Sequence, residues 1–171
     1  MKVEQLQTHE YGAYYGSYIK QAGDKDLLEG LKDSYEALEL FYLSIPDDKY
    51  GYRYSEGKWT IKEILQHLID TERIFGYRAL RVARKDIIDL PGFSQDDYVI
   101  SSNAKRRTKN DLVNEFLSVR QATISLFESF SDEMLIQVGS ASGLSISTRA
   151  IGFIIIGHEV HHAKVIRERY L

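Results

Sequence analysis

Residues 59–86, WTIKEILQHLIDTERIFGYRALRVARKD, read as one long amphipathic helix. Thr60 precedes Ile61, Lys62 and Glu63, the spacing at which a hydroxyl and a carboxylate each satisfy an amide left orphaned at a helix start. Ile64, Leu65, Leu68, Ile69, Phe75 and Leu80 then continue an apolar side in steps of three and four to about Arg84. Trp59 lies just before the cap, where a large apolar group staples onto the first turn, so its expected role is structural.

Three other segments share this periodicity. Upstream, Leu27, Leu28, Leu31, Tyr35, Leu38 and Tyr42 predict a helix from Asp26 to Leu43. It stops near Ile45-Pro46, because proline restricts the residue before it and cannot extend the hydrogen-bond ladder. The polar, glycine-bearing DDKYGYRYSEGKW that follows predicts a loop. Downstream of Pro91-Gly92 an irregular stretch reaches Arg107. Thr108 and Asp111 then repeat the cap-and-acid spacing, and Leu112, Phe116, Val119, Thr123, Leu126 and Phe130 mark a third helix. Ser131, Asp132 and Glu133 predict one further short turn. From Leu135 to Ser147, IQVGSASGLSIS alternates about a glycine-containing centre and predicts a small two-stranded β-ribbon. The fourth helix starts near Thr148 and carries Ile151, Ile154, Ile155, His158, His162 and Val165 on one stripe. Helices apolar on one side bury those sides by packing together, so the expectation is an all-α four-helix bundle. No linker or internal repeat divides residues 1–171, which predicts a single domain.

Composition narrows the function. A net charge of -3 over 171 residues and a pI near 6.0 give no basic stripe of the kind that binds a phosphate backbone, so no nucleic-acid partner is expected. The one basic patch, Lys105, Arg106, Arg107 and Lys109, is short and reads as a solvated loop and helix start. With no cysteine, the chain has no disulfide, thiolate ligand or cysteine nucleophile, and any thiol chemistry must use a thiol brought by the substrate. The opening MKVEQLQTHEYGAYYG lacks an apolar core of signal-peptide length. The run from Ala150 to Gly157 is far shorter than the ~20 residues that cross a bilayer. The expected setting is the cytoplasm, away from membranes.

Histidine is scarce, yet three of five fall in GHEVHH, residues 157–162. His158 and His162 are four apart, so on a helix they lie one turn above the other, a spacing that suits two imidazoles on one metal ion. They lie in line with Ile151, Ile154 and Ile155 and so face the bundle interior. His67 follows Ile64 by three on the buried side of its helix and is the third candidate. Against this stands the ordinary core histidine, satisfied by a carbonyl. His161 is rotated by about 100° from its neighbours and reads as a surface or supporting group. His9, in the leading segment, has little claim. HEVHH also fits the H-E-x-x-H pattern of metalloproteases, with Glu159 as general base. The only downstream acid, Glu168, is six residues after His162, and on an unbroken helix that turns it about 240° away from the pair. Asp70, three after His67, could orient its imidazole or reach the metal's surroundings. It could equally pair with Arg73 or Arg78. Glu63 is explained by capping. Tyr11, Tyr14, Tyr15 and Tyr18 either line a substrate pocket or simply cover the core.

The run from Trp59 to Asp86, followed about ninety residues after His67 by GHEVHHAKVI, resembles the DinB superfamily. That group includes the YfiT-like metal-dependent hydrolases and the bacillithiol- and mycothiol-dependent transferases. The resemblance covers nearly the whole chain and implies an up-down-down-up bundle, with a long crossover between the second and third helices supplied by Asp86 to Arg107. It implies a metal triad of His67, His158 and His162 holding one divalent ion, zinc or nickel, and a possible homodimer. It implies, first, transfer of a low-molecular-weight thiol onto an electrophilic small molecule, the sulfur being held as thiolate by the metal. Asp70 or Glu159 would then accept or relay a proton. The alternatives are hydrolysis by a metal-bound water, or metal retention without turnover in a stress-related protein. The first needs a pocket beside the metal, the second a free acid within reach, and the third a sealed site.

Overall fold

Side-chain caps set the helix starts. The computed structural model describes residues 1–171 as helices α1 Gly16–Gln21, α2 Leu27–Ser44, α3 Ile61–Ala83, α4 Gln95–Ser101, α5 Lys109–Glu128, α6 Asp132–Leu135 and α7 Thr148–Arg169, with strands β1 Val138–Ala141 and β2 Leu144–Ser147 before α7. Asp26, Ser94, Ser131 and Ser147 each accept a hydrogen bond from an amide of the following first turn. Thr60 with Glu63 and Thr108 with Asp111 form the reciprocal boxes read from the sequence.

The directions of the four long helices follow from their two apolar clusters. One cluster joins Leu27 and Leu31 from the start of α2, Phe75 and Val82 from the later part of α3, Phe127 from the end of α5 and Ile151 from the start of α7. The other joins Tyr42, Ile61, Leu112 and Ile166, from the opposite end of each. So α2 and α7 run one way and α3 and α5 the other: an up-down-down-up bundle. Because α3 and α5 are parallel, residues 84–108 must return along the whole bundle, roughly 30 Å for helices of this length.

That crossover is more ordered than an irregular stretch. It contains α4 and a 3-10 turn, Ala104–Arg106. The Ser94 cap three residues before Asp97 was present in the sequence, but only Val99 of α4 is buried, too little apolar periodicity to mark a helix. The loop after α2 likewise holds a 3-10 turn, Asp47–Gly51, in which Tyr50 is buried and donates to the Tyr42 carbonyl at 2.7 Å. The leading segment forms three 3-10 turns and α1.

The ribbon pairs Val138 with Ser147 through Ala141 with Leu144 around Ser142-Gly143, both at positive φ (58° and 73°), the conformation a tight two-residue hairpin turn requires. It clasps two other segments. Leu90 bonds to both sides of Ala141, with its amide on Ser140 at 3.0 Å and its carbonyl accepting from Ser142 at 2.8 Å, while Tyr11 bridges to Ile146. The ribbon thereby anchors the start of the crossover and the leading segment over the bundle end where α3 finishes. No helix is long and apolar enough to cross a membrane.

Candidate metal centre

The antiparallel pairing of α3 with α7 brings His67 opposite the last half of α7. The His67 and His158 Nε2 atoms are 3.1 Å apart, as are those of His158 and His162. One nitrogen from each ring lies within 4.8 Å of the others. Three nitrogens bound tetrahedrally at ~2.0–2.1 Å from zinc stand roughly 3.3 Å from one another, so the rings are set almost as a bound ion requires. Burial pushes His67 down to about 4 and His162 down to about 3, the latter helped by the charges of His67 and His161. Burial and the neighbouring imidazoles hold His158 well below its usual value. All three are therefore neutral at pH 7, the form with a lone pair to give. The site is capable of coordinating a divalent metal, and these donors fit one.

The surroundings fix the rings. Trp59 packs tilted against His67, ring centroids 4.8 Å apart at 47°, so the helix staple is also a wall of the site. The Thr71 hydroxyl lies 3.4 Å from the other ring nitrogen of His67. On the far side, Tyr18 of α1 places its ring edge-on to His158 at 5.2 Å and His161 at 5.4 Å. Gly157 makes that approach possible: a Cβ there would fall 1.8 Å from the Tyr18 carbonyl oxygen. The glycine that opens GHEVHH thus serves backbone contact.

Two cavities flank the histidines. The first, about 250 Å³, meets His67 and His158 and is walled by Tyr14, Tyr15, Tyr18, Phe75 and Phe93. The second, about 350 Å³, meets His161 and His162 and is bordered by Tyr54, Lys58, Trp59 and Asp96. The crossover contributes Gln95 to one and Asp96 to the other, so α4 stands between their mouths.

A model of the DinB superfamily matches residues 31–166. The chain belongs to the DinB superfamily. Its fold is shared by YfiT from Bacillus subtilis, described as a probable metal-dependent hydrolase with an unusual four-helix bundle topology, at a TM-score of 0.70 and 14% identity, over 96% of this chain and 90% of that one. A DinB-like protein of B. subtilis, YjoA, is similar over 84% of this chain and 88% of its own, with a TM-score of 0.59 and 17% identity. Comparison with the curated proteins finds no match.

In this DinB-superfamily chain the two acids singled out from sequence lie outside the walls of these two cavities. Asp70 accepts from Gln66 Nε2 at 3.0 Å, and burial raises its carboxyl against the opposing pull of that bond. It makes no ion pair with Arg73, which pairs with Glu115, or with Arg78. Glu159 is buried one residue from His158 and accepts from Arg120 at 2.8 Å. Burial raises it to about 7, opposed by Arg120. Arg120 also donates to both oxygens of Glu72, at 2.7 and 2.8 Å, and to Ser34. This network, buried except at half-buried Ser34, ties all four bundle helices together. Of the tyrosine cluster, Tyr14, Tyr15 and Tyr18 line the first cavity, while Tyr11 packs on the core. Sequence reading missed Thr71 and Arg78. Both carried a signal, since offsets of four and eleven from His67 are close to whole helical turns.

Proposed function

We propose that this chain is a metal-dependent hydrolase of small molecules, built on one zinc or nickel ion held by His67, His158 and His162. The convergence of three neutral imidazole nitrogens between two open cavities carries this reading. A bound ion there supplies a Lewis acid and lowers the pKa of a nucleophile. His67 and His158 present that centre to a substrate seated in the first cavity, where the Tyr14, Tyr15 and Tyr18 rings exclude water from its apolar part. His161 and Asp96, bordering the second cavity beside His162, are placed to take up a proton. Glu159 acts through Arg120 as a positioning residue for the His158 turn of α7. Asp70, held by Gln66 outside both cavities, has no direct part in this reading. The description of YfiT supports hydrolysis over the other chemistries.

Thiol transfer is the second reading. The second cavity favours it, because it offers a cosubstrate thiol room of its own on the opposite side of the histidines. Metal retention without turnover is the least supported, since neither side of the site is sealed.

The test begins with elemental analysis of protein purified without chelator. One zinc or nickel per chain is expected, lost in His158→Ala. A chain that neither carries nor takes up metal defeats the proposal. With metal established, a panel of esters and amides is compared with conjugation of a small thiol to a halo-aromatic electrophile. Hydrolysis abolished by His158→Ala supports the first reading, and conjugation alone supports the second.

A further inference from the structure

The cavity that meets His67 and His158 contains a cation with no anion. Arg78, on α3, is 2% exposed, as deeply buried as most of the core. Its guanidinium lies over the Phe75 ring at 5.3 Å and the Phe93 ring at 6.0 Å, and it lines the first cavity. Its only hydrogen bonds go from Nη2 to the Pro91 carbonyl at 2.7 Å and to Ser142 Oγ at 3.3 Å. Both acceptors are neutral, and no carboxylate forms an ion pair with it. Asp89 feels its charge at longer range, but that carboxylate is exposed and held by Ser140 and the Gly143 amide.

A guanidinium has five N–H donors. Two bonds leave three unused, on Nε and Nη1. These are not sealed in the core, where the only unpartnered side-chain atoms are the hydroxyls of Tyr42 and Thr148, so they open into the cavity that Arg78 lines. The other fully buried arginine, Arg120, shows how this fold neutralises such a charge when no ligand is needed: it has two carboxylates. A buried cation without a partner is costly, and a cavity wall is where a ligand can provide one.

We propose that Arg78 is the receptor for a carboxylate on the substrate. The class of ligand is an acid with an apolar, preferably aromatic, body. The carboxylate sits on Nε and Nη1, and the body lies among Tyr15, Phe75 and Phe93, whose rings present apolar faces and edges. The Pro91 and Ser142 contacts hold the guanidinium in place. They also explain the ribbon's clasp on Leu90, which brings the crossover and the hairpin turn to the same nitrogen.

The inference uses the cavity of the proposed function, but its test does not depend on metal. Phenylacetate and its neutral counterpart phenylacetamide are titrated by NMR into the full chain, with and without added zinc. Wild type is expected to bind the acid roughly 10–100-fold more tightly than the amide, the range of a charged hydrogen bond. The preference should survive removal of zinc, vanish in Arg78→Gln and persist in part in Arg78→Lys, which keeps the cation. Should Arg78→Gln fail to fold, the wild-type arms still decide. Equal binding of acid and amide, or a preference seen only with zinc, overturns the proposal. Absence of metal binding with the acid preference intact would instead defeat the proposed function and leave Arg78 standing.

Discussion

Two polar clusters share the bundle interior and are nearly contiguous in sequence: Thr71 supports His67 while Glu72 pairs with Arg120, and His158 is followed directly by Glu159. The Arg120 cluster is closed. Each oxygen of Glu72 has a donor, Glu159 accepts from the same guanidinium, and Ser34 takes another bond. The histidine cluster is open: three neutral rings point nitrogens at one another, with a cavity on either side. One helix pair therefore carries a structural and a functional solution one residue out of step. A buried group whose partners are all supplied by the chain stabilises the fold, whereas one whose partners are missing is a place for a ligand.

Breaking the closed cluster should have the largest effect. Arg120→Met leaves two buried carboxylates without their cation and is expected to cost about 3–5 kcal/mol in denaturant unfolding. Adding Glu72→Gln and Glu159→Gln should restore much of that loss, because the penalty lies in unpaired charge. A loss under about 1 kcal/mol in the single variant would mean that the network is not a keystone. The open cluster should respond in the opposite way. His158→Ala is expected to change metal-free stability little, while the gain from excess zinc, about 2.7 kcal/mol at a hundredfold over Kd, disappears. Calorimetric melts with and without zinc separate the two, and a zinc-induced gain that survives the substitution would move the site elsewhere.

The contrast also explains what could be read from the sequence. The four long helices were legible because their caps and three-four periodicity are local, as at Thr60–Glu63 and Thr108–Asp111. The histidine triad was legible because His158 and His162 share a helix face and His67 lies on a buried stripe. Partners fixed by tertiary approach were not. Nothing near Arg120 in sequence tells that Ser34, Glu72 and Glu159 converge on it, or that Arg78 finds only neutral acceptors across the chain at Pro91 and Ser142. Asp70 illustrates the converse: its offset from His67 suggested contact with the ring, but Gln66, one turn back, holds it and Thr71 takes the place beside the imidazole.

Gly157 sharpens the comparison at the boundary of the open cluster. Alanine favours a helix interior by about 0.8–1.0 kcal/mol over glycine. Here the added Cβ would meet the Tyr18 carbonyl oxygen at 1.8 Å, a backbone atom that cannot rotate away. Gly157→Ala is therefore expected to destabilise by about 1–3 kcal/mol, as overpacking does. Faster hydrogen exchange should be confined to residues 11–22, with the Arg120 network unaffected. Uniform loosening of the whole bundle would contradict a docking role for this glycine.

The smallest expected effect comes from a third pair, intermediate between closed and open. Glu10, in the leading segment, is gripped by Arg149 at the start of α7 and by Ser147 Oγ at 2.7 Å. Burial alone would raise its carboxyl, but the bonds from Arg149, the Gln7 amide and Ser147 outweigh that and hold it below the usual value of 4.5. A carboxyl lowered by folding contributes its stability above the unfolded value and loses it as pH falls through the folded one. The leading segment should thus stay docked above the ordinary carboxyl range and loosen before the bundle unfolds as pH falls below that range. Glu10→Gln should remove this acid step. Proteolysis within residues 1–15 followed across pH 3–6 reads the difference, and an identical pH profile in the variant would show that another group fastens the arm.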